Sequence, residues 1–94
     1  MDGFYLTGLV AEEPEKFYTA DGLRICRLQV LLTQKNDTQK ILEVTLFNDL
    51  ANLEYEQGQV VCIQGRMSSR QIKIRSGVVN AVQLIGSSVT FINE

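Results

Sequence analysis

Apolar residues recur at every second position in four or five separate segments of this chain, and that period limits the fold more than any other feature. Successive side chains of a strand point to opposite faces, so a two-residue period describes half-buried strands rather than helices. Phe4, Leu6, Gly8 and Val10 alternate with Tyr5, Thr7 and Leu9, while Cys26, Leu28, Val30 and Leu32 alternate with Ile25, Arg27, Gln29 and Leu31. Leu42, Val44 and Leu46 alternate with Ile41, Glu43, Thr45 and Phe47, and Val61, Ile63, Gly65 and Met67 with Cys62, Gln64, Arg66, Ser68 and Arg70. The expected core is Leu6, Leu28, Val30, Leu42, Val44, Leu46, Val61 and Ile63, with Phe47 directed to solvent.

Turn residues separate these segments. Glu13-Pro14 ends the first strand, Asp21-Gly22 supplies the positive φ of a tight hairpin, Asn36-Asp37-Thr38 turns the chain again, and Ser76-Gly77 reverses it near the end. Gly8 marks a bulge or a close backbone approach, and Gly86-Ser87-Ser88 a bulged ladder before the closing VTFI. One piece, NDLANLEYEQG, reads as a short helix: Asn48 or Asp49 can cap it, Leu50 and Leu53 share a face, and Gly58 can stop it. Three meandering strands, a short helix and a long closing hairpin predict an all-β protein, a five-stranded antiparallel OB-fold barrel with its helix between strands 3 and 4. An SH3-like barrel is the competing layout, and the position of the helix favours OB. Residues 1–94 form a single domain on this reading, since a chain of 94 residues has room for one core.

Composition narrows the chemistry. The chain has no histidine, and no carboxylate, lysine or thiol stands in a recognisable nucleophile or acid-base arrangement, so an enzyme is not expected. The phosphate-loop, dinucleotide and zinc-helix motifs are missing from the sequence. Cys26 and Cys62 lie within apolar runs and form no ligand pair, which predicts reduced core thiols, no metal and no cofactor. No apolar stretch reaches the length of a membrane span, and residues 1–3 lack the basic region of a signal peptide, so a cytoplasmic location without membrane contact is expected. Net charge is −2, yet between Gln57 and Asn93 the charged residues are Arg66, Arg70, Lys73 and Arg75, all basic. Distribution matters more to a polyanion than the sum does.

Four blocks resemble one family in order. LTGLVAEEPEKFYTADG, residues 6–22, is similar to the L-x-G-x-(L/V)-x-x-(D/E)-P-E-x-x-Y opening of bacterial single-stranded DNA-binding proteins. EVTLFNDLA resembles that family's strand-three end and helix start, YEQGQVVCIQGRMSSR its fourth-strand segment, and SSVTFI its closing strand. Short OB proteins of primosome assembly share the outline. The resemblance implies binding of single-stranded DNA, largely without sequence preference, in replication, recombination or repair, by aromatic stacking and basic phosphate contacts. Phe47 occupies the family's phenylalanine at the end of strand three, and Arg70 the basic residue of its T-R pair. The family's tryptophans correspond to Asn36, Ile41 and Ile72, and a strand-three arginine to Glu43.

The expected nucleic-acid-binding residues are therefore Phe47, Arg27, Arg66, Arg70, Lys73, Arg75, Lys35 and Lys40, with stacking contributing less than in relatives that keep the tryptophans and phosphate contacts carrying the remainder. Tyr18, which matches a family tyrosine, reads as structural. The expected partners are single-stranded DNA, replication proteins and further copies of the chain. A symmetric dimer or tetramer is expected because Phe4, Tyr5 and Ile85 exceed what one small core can use. Two other functions compete. A protein-interaction or primosome-accessory OB module would explain the lost tryptophans and the acidic balance. RNA binding by a cold-shock-like barrel lacks the clustered surface aromatics that group needs.

Overall fold

The computed structural model describes residues 3–33 and 38–92. Its strands are β1 (Gly3–Val10), β2 (Glu15–Tyr18), β3 (Arg24–Thr33), β4 (Gln39–Phe47), β5 (Val60–Ile74) and β6 (Gly77–Ile92), with one 3₁₀ turn at Leu50–Asn52. Lys35 and most of the Asn36-Asp37-Thr38 turn lie outside the described residues.

β1 runs antiparallel to β5 from Gly3 opposite Arg66 to Leu9 opposite Val60. At its far end it switches partner, with Leu9 and Val10 opposite Leu31 and Val30 of β3. The switch happens where Gly8 lets the two backbones approach, the second of the two roles its sequence position suggests. β2 and β3 form the hairpin expected from Asp21-Gly22, with φ of +87° at Gly22. Thr19 holds this turn: its hydroxyl pairs with the Asp21 carboxylate and accepts the Leu23 N–H at 3.0 Å. That bond holds the Asp21 carboxyl below the usual carboxylate range.

β3 and β4 pair along their length, so that Cys26, Leu28 and Val30 face Leu46, Val44 and Leu42 across the ladder. Leu28, Leu46, Ile63, Val10, Val30, Val44, Val61 and Cys26 are the largest fully buried side chains. Each aliphatic among them contributes about 1.5–3 kcal/mol by leaving water. Leu42 is the expected core residue that remains half-buried, because it lies toward the turn end of the β3–β4 hairpin. Cys62 departs from its expected burial too: it faces outward opposite Thr7 and is half-covered.

The expected helix is a single 3₁₀ turn. Asp49 makes no side-chain capping bond, and Leu53 is already extended at φ −68° and ψ 152°. Extension delivers Tyr55 into the bottom of the barrel, where its hydroxyl donates to the Leu50 carbonyl at 2.6 Å and its ring lies 5.6 Å from that of Phe91. A longer helix would carry Tyr55 away from this position.

β5 and β6 form the long hairpin, with a register shift where Gln64 opposes Ser88 and Gly65 opposes Gly86. Ser87 is thus the extra residue, at the bulge that Gly86-Ser87-Ser88 predicts. The barrel closes where β6 meets β4, Val44 opposite Leu84 and Thr45 opposite Ile85, and this seam is parallel. The circuit β1-β5-β6-β4-β3 returns to β1, giving a five-strand barrel with β2 as an added outer strand on β3. The expected all-antiparallel pairing therefore holds everywhere except at the β4–β6 seam, whose direction depends on long-range closure rather than on a hairpin.

Candidate nucleic-acid interface

Residues that alternate with the core form the outer face of β2, β3 and β4, and register fixes them in rows. Phe17, Ile25 and Phe47 make one row, Glu15, Arg27 and Thr45 the next, followed by Gln29 with Glu43 and Leu31 with Ile41. The first row is apolar with an aromatic at each end, and Phe17 and Phe47 are both half-buried. The Arg27 guanidinium lies 4.9 Å from the centre of the Phe17 ring, a cation–π contact across the rows.

This face becomes a cleft where the β5–β6 hairpin rises beside it. Arg27, Glu43 and Thr45 form the sheet side, and Arg70, Ala81 and Gln83 the hairpin side, of a space of about 150 Å³. Its floor is fixed by Thr45, only 5% exposed although it points away from the core. Gln83 Nε2 donates to the Thr45 hydroxyl at 3.4 Å across the seam. The seam thus brings two cationic side chains from distant segments to one cleft, next to an aromatic row.

The sequence-derived site residues divide accordingly. Arg27 and Arg70 line the cleft, and Phe47 ends the row beside Arg27. Arg66 shares the Arg70 face of β5 by alternation and lies opposite Ile85. Lys73 falls on the opposite face of that strand, opposite Val78, and Arg75 is in the turn at the hairpin tip. Lys40 is opposite Leu32 and shares the parity of Leu42, so it is not brought to the cleft. Lys35 lies outside the described residues.

Phe17, Gln29, Thr45 and Gln83 belong to this surface but were not among the expected residues. Phe17 could have been found by counting back from the Asp21-Gly22 turn, which places Tyr18 opposite Arg24 and Phe17 opposite Ile25. Gln83 carries no local signal, because only barrel closure brings β6 beside β4.

A larger hollow, about 560 Å³, lies at another end of the barrel between Glu13, Lys16, Glu54, Tyr55 and Glu56. Three carboxylates to one ammonium make it a poor place for a polyanion, and Lys16 is occupied, donating to the Leu53 carbonyl at 2.8 Å. Arg24 is likewise engaged, 5.6 Å from the Tyr18 ring and 2.6 Å from Asn52 Oδ1. Among the described residues no cluster of three or more potential ligands could hold a metal, and no helix is long and apolar enough to cross a membrane.

A five-strand barrel with a 3₁₀ turn at its base and a cationic cleft across its sheet is an OB-fold barrel with the surface of a nucleic-acid-binding module. A family profile described as the Single-strand binding protein family matches residues 1–92, and the chain belongs to that family. Among solved structures, the mitochondrial single-stranded DNA-binding protein of S. cerevisiae superposes with a TM-score of 0.80 at 13% identity, covering 96% of this chain and 93% of that one. A deletion mutant of the single-stranded DNA-binding protein of Thermus aquaticus superposes at 0.72 with 23% identity, covering 99% of this chain and 51% of that one. The present chain therefore spans about half the length of the Thermus chain. At these identities the superpositions establish the fold. No curated protein matched the sequence.

Proposed function

We infer that this protein binds single-stranded DNA with little sequence preference, as a non-catalytic module of replication, recombination or repair. The carrying observation is that Arg27 of β3 and Arg70 of β5 line one cleft beside the Phe17–Ile25–Phe47 row. A single strand needs both things there: cations spaced along its phosphates and aromatic faces on which bases of any identity can stack. Phe47 is the principal stacking residue, and Arg27, Arg70 and Arg66 take the backbone. Family membership supports this reading, as do the names of the two structural neighbours.

The protein works as a symmetric homodimer or homotetramer. Of the three residues first expected at such an interface, Phe4 packs against the core and Ile85 is half-buried, leaving Tyr5 at 65% exposure on the outer face of β1. Fluorescence anisotropy with a labelled oligothymidine at low and moderate salt tests the DNA-binding function. Saturable binding that weakens with salt is expected. No binding even at low salt would instead favour an OB module that recognises protein.

A further inference from the structure

The arginine at the centre of the proposed path is already occupied. Arg27 Nη1 lies 3.4 Å from Glu15 Oε1, and its Nε lies 4.0 Å from Glu43 Oε1. Register explains the arrangement: Glu15 is directly opposite Arg27 on β2, and Glu43 reaches it from the neighbouring row of β4. Glu43 is itself oriented, since its other carboxylate oxygen accepts a 2.8 Å hydrogen bond from Gln29 Nε2. With the Phe17 ring against its face, the guanidinium sits between two carboxylates, hydrogen-bonded to Glu15 and in a longer ion contact with Glu43, and its charge is the one a phosphate would meet.

Arg70 differs. It lines the same cleft, yet among the described residues no carboxylate comes within ion-pair distance of it. The cleft thus contains one available arginine and one engaged arginine. The engaged pairs are displaceable: the Arg27, Glu15 and Glu43 side chains are 47, 69 and 48% exposed, where ion pairs are weak and screened.

We propose that Glu15 and Glu43 form a carboxylate clamp that competes with the DNA backbone for Arg27, so that phosphate gains this arginine only by displacing the clamp. The proposal rests on the cleft being the DNA path. It makes the two glutamates determinants of affinity, acting in opposition to the arginine they hold. Repulsion between each carboxylate and an incoming phosphate acts in the same direction as the occupied guanidinium.

The test compares wild type, the double variant Glu15→Gln/Glu43→Gln and a charge-matched control, Glu54→Gln/Glu56→Gln, whose glutamates border the other hollow. Each is titrated with labelled oligothymidine across a salt series. The clamp variant should bind about three- to tenfold more tightly at low salt, the scale of releasing two exposed ion pairs. Its logarithmic salt slope should steepen by about 0.7, one added phosphate contact on a single strand. The control should stay within about twofold of wild type, the residual expected from net charge alone. Arg27→Ala should cost more affinity in the clamp variant than in wild type. An equal gain in the control, or an equal cost of Arg27→Ala in both backgrounds, overturns the clamp while leaving DNA binding standing. Absence of binding by wild type and clamp variant alike overturns both readings, whereas binding that arises only in the clamp variant supports the clamp.

Discussion

The backbone of Gly8 passes so close to Leu31 that a Cβ at position 8 would lie 2.4 Å from the Leu31 carbonyl oxygen. The same atom would meet Val30 Cγ1 at 2.7 Å and Leu32 Cδ2 at 2.9 Å. This is where β1 leaves β5 for β3, and so where one side of the barrel closes. A carbonyl cannot rotate away as a side chain can. Gly8→Ala should therefore lower stability by about 1–3 kcal/mol, the range of overpacked sites, seen as a lower urea midpoint with an unchanged m-value. A midpoint equal to wild type would show that the strands can separate there without loss.

Stacking and phosphate contact should separate in a salt series. Phe47→Ala should lower DNA affinity by about 1–3 kcal/mol without changing the salt slope, because it removes a π-face and no charge. Arg70→Ala should flatten the slope by about 0.7. Lys73→Ala should leave the slope close to that of wild type, since Lys73 points away from the Arg70 face. Circular dichroism checks that each variant is folded.

Tyr55 should make stability depend on pH at the alkaline end. Burial, aided by the nearby Cys26 thiol, pushes its phenol well above the ordinary value. The unfolded chain ionises this group near pH 10, so the stabilisation is fully present below about pH 10 and is lost as pH rises toward the folded value. Tyr55→Phe should cost about 0.5–1.5 kcal/mol at neutral pH through loss of the bond to Leu50. The same variant should show a flatter loss of stability between pH 9 and 11, followed by urea unfolding. An alkaline profile identical to wild type would assign the dependence to other groups.

Assembly should involve the outer face or free edge of β1. Light scattering at micromolar concentration should report a dimer or tetramer, and Tyr5→Glu should shift it toward monomer by placing a charge where an apolar ring is now exposed. A wild type that is monomeric throughout would remove the oligomer from the proposed function.

Local patterns in the sequence specified the strands well. Leu28, Val30, Val44, Leu46, Val61 and Ile63 are buried because period two assigns a face wherever one side is dry. The Asp21-Gly22 turn and the Ser87 bulge were legible for the same reason, being decided within a few residues. What failed was decided at a distance. Leu50 and Leu53 suggest a helix, but placing Tyr55 under the barrel requires extended chain from Leu53 onward. Lys73 and Arg75 belong to a basic run in one dimension; alternation already sets Lys73 off the Arg70 face, and it is barrel closure that decides which face meets Arg27. The pairing of Arg27 with Glu15 and Glu43 likewise needed two ladders to be known before a cation on β3 could be matched with its carboxylates.

The parallel seam at Val44–Leu84 and Thr45–Ile85 also has a bearing on how the molecule comes into being. The β3–β4 and β5–β6 ladders each join strands adjacent in sequence and can form early, whereas the seam joins partners separated by much of the chain. Loop-closure entropy makes such a contact slow relative to local hairpins. Arg27 and Arg70 come from opposite sides of that seam, so the cleft they share requires this long-range pairing as well as the local hairpins. A nascent chain with both hairpins formed but the seam open would have strands and core segments and still lack a binding surface. The cleft is thus a property of the closed barrel and of neither hairpin alone.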